Sequence, residues 1–349
     1  VNLKILLLPG DGIGVEVTRE AARVLTHVAR KYGHTLEVAQ GVIGAAAIRA
    51  HGTPLPEETL TLAREADATL LGAVGLPEFD NAPPAERPEI GLLRLRKALE
   101  VFANLRPVRA YRALLDSSPL KNAVVEGTDL IIVRELTGGL YYGTPRGIFE
   151  NGQGAVNTMA YTRPEIERVA RKAFELARGR RRKVTSVDKS NVIENSQLWR
   201  RVVSEVARDF PEVTLEHMLV DNAAMQLVLH PRQFDVVLTE NLFGDILSDE
   251  GAVLAGSIGM LPSASLGAKK GLYEPVHGSA PDIAGKNLAN PLGAIGSAAA
   301  MLEYSFGLAR EAAAVYAAIE RVLEQGKVTG DLKGHLTTEQ VGQAVAELV

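Results

Sequence analysis

The chain has no cysteine, no long apolar run and almost no net charge. Without cysteine it can form no disulfide, present no thiolate nucleophile and build no Cys-ligated metal site, which fits a reducing compartment. The apolar run Ile5–Leu8 is far too short for a signal segment and meets Pro9-Gly10-Asp11 at once. No other segment approaches the length of a membrane span, so the expectation is a cytoplasmic protein with no membrane partner. Lys plus Arg total 38 against 42 Asp plus Glu, a net charge of −4, and that balance asks for no nucleic acid. With 349 residues the chain exceeds one ordinary core, which predicts two domains.

What is present alternates. Strand-like runs at Leu3–Leu8, Leu36–Ala39, Ala68–Leu71, Leu130–Val133, Val184–Val187, Val213–Leu219 and Val236–Thr239 are separated by longer amphipathic segments. These predict helices over Val15–Lys31, Gly91–Leu105, Arg163–Ala177, Asn195–Phe210 and Asn290–Phe306. The pattern is that of an α/β protein with a largely parallel sheet. The Pro-rich stretch Pro77–Pro88 reads either as a lid or hinge or as a surface connection.

Asp245 and Asp249, in Asn241-Leu-Phe-Gly-Asp-Ile-Leu-Ser-Asp249, share one face if the segment is helical. Taken singly, such a pair is also the pattern of an exposed acidic helix face. Here it follows a buried-looking strand, at the end where open α/β sheets bind ligands, and its oxygens suit a hard divalent cation. Arg96, Arg106 and Arg134 offer three guanidinium forks suited to a di- or tricarboxylate, although each alone is more often a structural ion pair. Tyr141 and Lys189 are a candidate acid and base, and each alone is equally a core tyrosine or a surface lysine. Gly10-Asp-Gly-Ile-Gly14 loosely matches a dinucleotide turn, but the spacing is not G-x-G-x-x-G and an ordinary tight turn explains it equally well. The polar loop from Glu274 through His277 and Asp282 to Asn290 has groups for phosphate and ribose, and an Asp there favours NAD over NADP. The basic run Arg178–Lys183 reads as a solvated helix end.

Taken together, Leu8-Pro-Gly-Asp-Gly-Ile-Gly14, Ala103-Asn-Leu-Arg-Pro107, Arg134-Glu-Leu-Thr-Gly-Gly139, Val187-Asp-Lys-Ser-Asn191, Val220-Asp-Asn-Ala-Ala-Met-Gln-Leu-Val228, Asn241–Asp249 and Glu274–Lys286 resemble one family over essentially the whole chain. It is the metal-dependent β-decarboxylating dehydrogenases, which comprise the isopropylmalate, isocitrate, homoisocitrate and tartrate/malate enzymes. The resemblance implies a two-domain fold distinct from the ordinary dinucleotide fold. Its discontinuous cofactor-binding domain would be residues 1–101 with 256–349, and its central domain 102–255 would carry dimer contacts and an exchanged arm near 143–158.

The same resemblance implies the roles. Arg96, Arg106 and Arg134 hold substrate carboxylates; Asp221, Asp245 and Asp249 supply a Mg²⁺ or Mn²⁺ site. Lys189 accepts the hydroxyl proton, and Tyr141 returns a proton to carbon. Glu274, His277, Gly278, Ser279, Ala280, Asp282, Ile283 and Asn290 belong to the NAD site. A homodimer is expected, with Lys189 and Asp221 contributed across the interface. Leu92 and Leu93, with Glu89 upstream, suit an isopropyl group, which points to 3-isopropylmalate and leucine biosynthesis, and Arg94 should point away from them. A malate or tartrate enzyme and a catalytically silent regulatory subunit are the competing expectations. Val15, Leu76, Gly293 and Gly296 depart from the family pattern, the two glycines at a cost in helix propensity.

Overall fold

The computed structural model describes residues 1–83, 86–254 and 256–349, and its contacts divide the chain into two units. Residues 84 and 85 of the Pro-rich loop, and residue 255 at the expected domain boundary, lie outside the described residues.

The first unit holds β1 (Asn2–Gly10), β2 (Thr35–Gln40), β3 (Ala68–Ala73), β11 (Pro262–Leu266) and β12 (Gly271–Pro275). They run in the order β2-β1-β3-β12-β11, parallel except for the antiparallel β11–β12 pair. Its helices are α1 (Gly14–Tyr32), α2 (Ala45–His51), α3 (Glu57–Glu65), α4 (Pro88–Ala98), α10 (Leu292–Tyr304), α11 (Ala309–Glu324) and α12 (Thr338–Leu348). β3 is buried along its whole length and α10 nearly so, as expected of elements covered on all sides. Gly293 and Gly296 have a packing reason. A Cβ at Gly293 would lie 2.8 Å from the Gly259 carbonyl oxygen, and one at Gly296 would lie 3.2 Å from Pro262. Close approach of α10 to that segment offsets the propensity cost.

The second unit holds β4 (Ala103–Arg109), β5 (Asp129–Glu135), β8 (Lys183–Asp188), β9 (Thr214–Leu219) and β10 (Val236–Thr239), in the order β4-β5-β10-β8-β9. Only β4–β5 is antiparallel. Helices α5 (Asn122–Val125), α6 (Arg163–Arg178), α7 (Glu194–Ala207), α8 (Val220–Leu229) and α9 (Asn241–Leu254) complete it, with an exposed hairpin of β6 (Arg146–Phe149) and β7 (Gly154–Asn157). α6 starts on a capping box, Thr162 with Glu165, followed by Pro164. Residues 111–117 group with the first unit, although the sequence division assigned them to the central domain.

The expected helix Gly91–Leu105 is corrected: α4 ends at Ala98, Glu100 turns the chain at φ 53°, and residues 103–109 form β4. The run Leu99-Glu-Val-Phe-Ala103 is apolar enough for a buried helix end or a buried strand, and periodicity cannot separate the two. The basic run is more than a solvated end. Arg180 bonds Asp129 and the buried Asp235 (2.8 Å each), Arg178 pairs with Glu212 and Lys183 with Glu216.

Candidate active site

In the second unit, β10 ends at Thr239 and α9 begins at Asn241, so Asp245 and Asp249 stand one turn apart on a helix that leaves the carboxyl end of a buried strand. The buried Glu240 between the two elements accepts from the backbone N–H groups of Leu242 (3.1 Å) and Phe243 (2.6 Å), satisfying orphan donors of the helix start. Burial raises its carboxyl above the usual range, with these two bonds opposing.

Three other functional groups converge on α9. Arg134, at the end of β5 and 2% exposed, donates through Nε to Asn241 Oδ1 (2.9 Å) and through Nη1 to Asp245 Oδ1. Arg106, on the neighbouring β4, donates to Asn104 Oδ1 (2.9 Å) and Ser248 Oγ (2.5 Å), and lies 3.4 Å from both Asp245 and Asp249. Tyr141 donates its hydroxyl to Asp245 Oδ2 at 2.8 Å, with the Arg134 guanidinium 5.5 Å from its ring centroid. Burial, then the bond to Asp245, pushes the Tyr141 hydroxyl up to about 12, so it stays protonated and able to donate at neutral pH. The Asp249 carboxyl is also raised, by partial desolvation, with Arg106 opposing and Asp245 adding. Two acidic groups thus stand against two guanidinium groups and a phenol, with oxygen donors of the kind a hard divalent cation takes.

Lys189 follows β8 directly and donates to Asp221 Oδ1 at 2.8 Å, Asp221 lying on the first turn of α8. That bond holds the Asp221 carboxyl below its ordinary value. Beneath it, Asp188, 1% exposed, accepts from Ser190 N–H (2.9 Å) and from both ends of the Arg200 fork (2.9 and 3.0 Å). Among the described residues no three Asp, Glu or His side chains converge as a metal-ligating group within the chain.

In the first unit, Arg96 on α4 donates to Glu274 Oε1 at 2.9 Å, and among the described residues Arg96 Nε and Glu274 Oε2 are buried without partners. Leu92 and Leu93 are half-buried one turn earlier, whereas Arg94 is exposed and reaches Glu57 at 3.5 Å, away from them. Glu89 stands against Gly75, where a Cβ would lie 2.6 Å from its Oε1. His277 is 8% exposed; Nδ1 lies 2.8 Å from the Gly278 carbonyl, which only accepts, so Nδ1 carries the proton. Burial lowers the imidazole's pKa and keeps it neutral. Nε2 is therefore a buried lone pair without a partner among the described residues, a feature suited to a donor group on a bound cofactor. Ser279 Oγ is spent on the Gly75 carbonyl (2.5 Å), Ala280 holds φ 38°, Ile283 N–H closes a turn onto Ala280, and Asp282 is exposed.

Asn290 has partners within the chain. Its amide group donates to Asp331 (3.0 Å) and its oxygen accepts from Leu292 N–H (3.0 Å), so it pins the start of α10. The Gly-rich turn is likewise a packing joint. A Cβ at Gly10 or Gly12 would lie 1.9 Å from Ala73 O or 2.0 Å from Ser279 O, and Ile13 N–H bonds Ser279 O at 2.8 Å. Sequence reading missed Asp11, whose carboxylate gathers three backbone N–H groups (Ala45, Ala46 and Gly75), and Glu16, which holds Gly285 and Asn287. It also missed Glu135 and Glu240, acidic residues just past apolar strand cores, and Tyr161, which has no local signal of its own.

The sequence profile of the isocitrate/isopropylmalate dehydrogenase family matches residues 4–345. A 3-isopropylmalate dehydrogenase of Geobacillus kaustophilus is 61% identical over 95% of this chain and 90% of its own length. One from Aquifex aeolicus is 57% identical over 94% and 91%. The crystal structure of isocitrate dehydrogenase from Methylococcus capsulatus superposes with TM-score 0.89 at 35% identity, covering 99% of each chain. None of the described helices is long and apolar enough to cross a membrane. With its α/β units, its motifs and these relatives, the chain belongs to the isocitrate/isopropylmalate dehydrogenase family.

Proposed function

We propose that this chain catalyses the NAD-dependent oxidative decarboxylation of 3-isopropylmalate to 4-methyl-2-oxopentanoate and CO₂, a step of leucine biosynthesis, as a homodimer using Mg²⁺ or Mn²⁺. The observation that carries this reading is identity of 61% over nearly the whole chain to a relative bearing that activity as its name. The grouping of Arg106, Arg134, Tyr141, Asp245 and Asp249 in one unit supports it.

When bound, NAD and the divalent cation supply a hydride acceptor and a Lewis acid at the C2 oxygen. Asp245 and Asp249, with Asp221, are the residues to hold the cation, and Glu274 and His277 are among those to hold the cofactor. Arg96, Arg106 and Arg134 grip the two carboxylates of the malate. Lys189 takes the C2 hydroxyl proton as hydride departs from C2. The bond from C3 to the carboxylate then breaks, CO₂ leaves, and the electron pair stays behind as an enolate. Tyr141, held protonated, delivers a proton to C3, which completes the 2-oxo acid.

The dimer has support in the surface. Met225, Val228 and Leu229 on α8, Ile246 and Val253 on α9, and Ile148, Phe149 and Val156 on the hairpin are large apolar side chains open to solvent. In the proposed dimer Lys189 and Asp221 complete the partner's site, and the hairpin is the exchanged arm.

The test is NADH formation with 3-isopropylmalate, isocitrate, malate and tartrate in parallel, with NAD or NADP, and with Mn²⁺ or EDTA. Metal-dependent NAD reduction with isopropylmalate is the expected result. Preference for malate or tartrate would discard the substrate assignment, and inactivity toward all four would discard catalysis.

A further inference from the structure

Tyr161 has no place in the chemistry above, yet its side chain touches both the start of α9, which carries Asp245 and Asp249, and the turn that carries Tyr141. Its hydroxyl accepts from Asn241 N–H, at the first residue of α9, at 2.9 Å, and lies 3.4 Å from Glu240 Oε2, to which it donates. Asn241 in turn accepts from Arg134 and donates its amide hydrogens to the carbonyls of Leu136 (3.2 Å) and Gly138 (2.9 Å).

The Tyr161 ring is the floor beneath the Gly138-Gly139 turn. A Cβ on Gly138 would lie 2.7 Å from the ring, and one on Gly139, where φ is +71°, would lie 2.4 Å from the hydroxyl oxygen. That turn opens the short 3₁₀ helix Gly139–Tyr141 that presents the phenol of Tyr141. Beside the ring, on the same side of the turn, Glu135, fully buried, accepts from the N–H groups of Thr137 (3.0 Å) and Gly138 (2.8 Å). Burial pushes Glu135, Glu240 and Tyr161 all upward, which favours their protonated forms in this pocket. Trp199 packs edge-on against the ring at 5.7 Å.

We infer that Tyr161 is a positioning residue for the proton donor Tyr141 and for the carboxylates of α9, acting through its buried hydroxyl; this rests on the reaction proposed above. One hydroxyl fixes the height of the Tyr141 turn and the start of α9 together. Removing it lets the two shift independently, while the ring still fills its space. Displacements of that kind, on the order of 1 Å, cost about a hundredfold in rate.

The experiment compares Tyr161→Phe with Trp199→Phe in the full chain. For Tyr161→Phe, kcat with isopropylmalate should fall about ten- to a hundredfold, with the NAD KM unchanged. The solvent deuterium isotope effect on kcat should rise as proton delivery becomes limiting, and Mn²⁺ binding without substrate should weaken. Trp199→Phe loosens the same ring but keeps the hydroxyl, and should leave the isotope effect and Mn²⁺ binding as they were. If Tyr161→Phe does not fold, Glu240→Gln, which perturbs the hydroxyl's partner while retaining an acceptor oxygen, should reproduce the rise in isotope effect. Wild-type kcat and isotope effect in Tyr161→Phe, no rise in Glu240→Gln, or the same changes in Trp199→Phe, would overturn the inference. Failure of the wild-type chain to oxidise isopropylmalate would instead sink the functional proposal.

Discussion

Lys189 and Asp221 are joined at 2.8 Å, the lysine from the end of β8 and the aspartate from the first turn of α8. The proposed base and a proposed metal ligand are thus each other's partners within one chain. Replacing Lys189 by Ala should lower kcat by about 10²–10⁴-fold, with little change in isopropylmalate affinity. Tyr141→Phe should fall in the same range. Steady-state kinetics with isopropylmalate check both, and turnover at the wild-type rate in either variant would remove that residue from the proton transfers.

Leu92 and Leu93 lie half-buried on α4 while Arg94 points to Glu57. Shortening both leucines to Ala should reduce the preference for isopropylmalate over malate by about 10–200-fold, the range for lost methylene contacts in a substrate pocket. The ratio of kcat/KM values measures it. An unchanged ratio would place selectivity elsewhere.

Arg180 neutralises Asp235, which is 1% exposed, at 2.8 Å. Arg180→Ala should destabilise the chain by about 3 kcal/mol, because it strands a buried charge. Lys183 N–H, 3.3 Å from the same carboxylate, softens the loss. Urea unfolding reads the change, and a difference within error of zero would show that solvent reaches Asp235.

Glu240 has its carboxyl raised from the ordinary 4.5 by burial. A raised folded-state pKa means that the folded chain holds this proton more tightly than the unfolded one. The group's contribution is therefore complete below about 4.5 and lost as pH rises through the folded value. Stability of wild type relative to Glu240→Gln should thus decline as pH climbs from about 4.5. A flat difference across urea titrations at several pH values would contradict this.

Much of the site was legible because its chemistry is written in short ordered motifs. Asn241–Asp249 declares its paired aspartates at helical spacing, and Val187–Asn191 declares a lysine at a strand end. The α/β alternation was legible too, since strand and helix periods differ locally. β4 was not. The apolar residues from Val101 to Leu105 follow α4 at spacings that fit a helix as well as a strand, and pairing with β5 made a strand of them from Ala103 on.

The sequence by itself determined the family, the parallel α/β character and the residue types available for hydride, proton and carboxylate chemistry. Those follow from local pattern and side-chain identity. Tertiary structure alone decided that Arg134 meets Asp245, 111 residues away, that Asn290 serves α10, and that Gly10–Gly14 packs on Ser279. It also decided that Glu135, Tyr161 and Glu240 share one buried pocket. Such partnerships depend on strand order and register, which place distant residues side by side without leaving a mark in the neighbouring sequence.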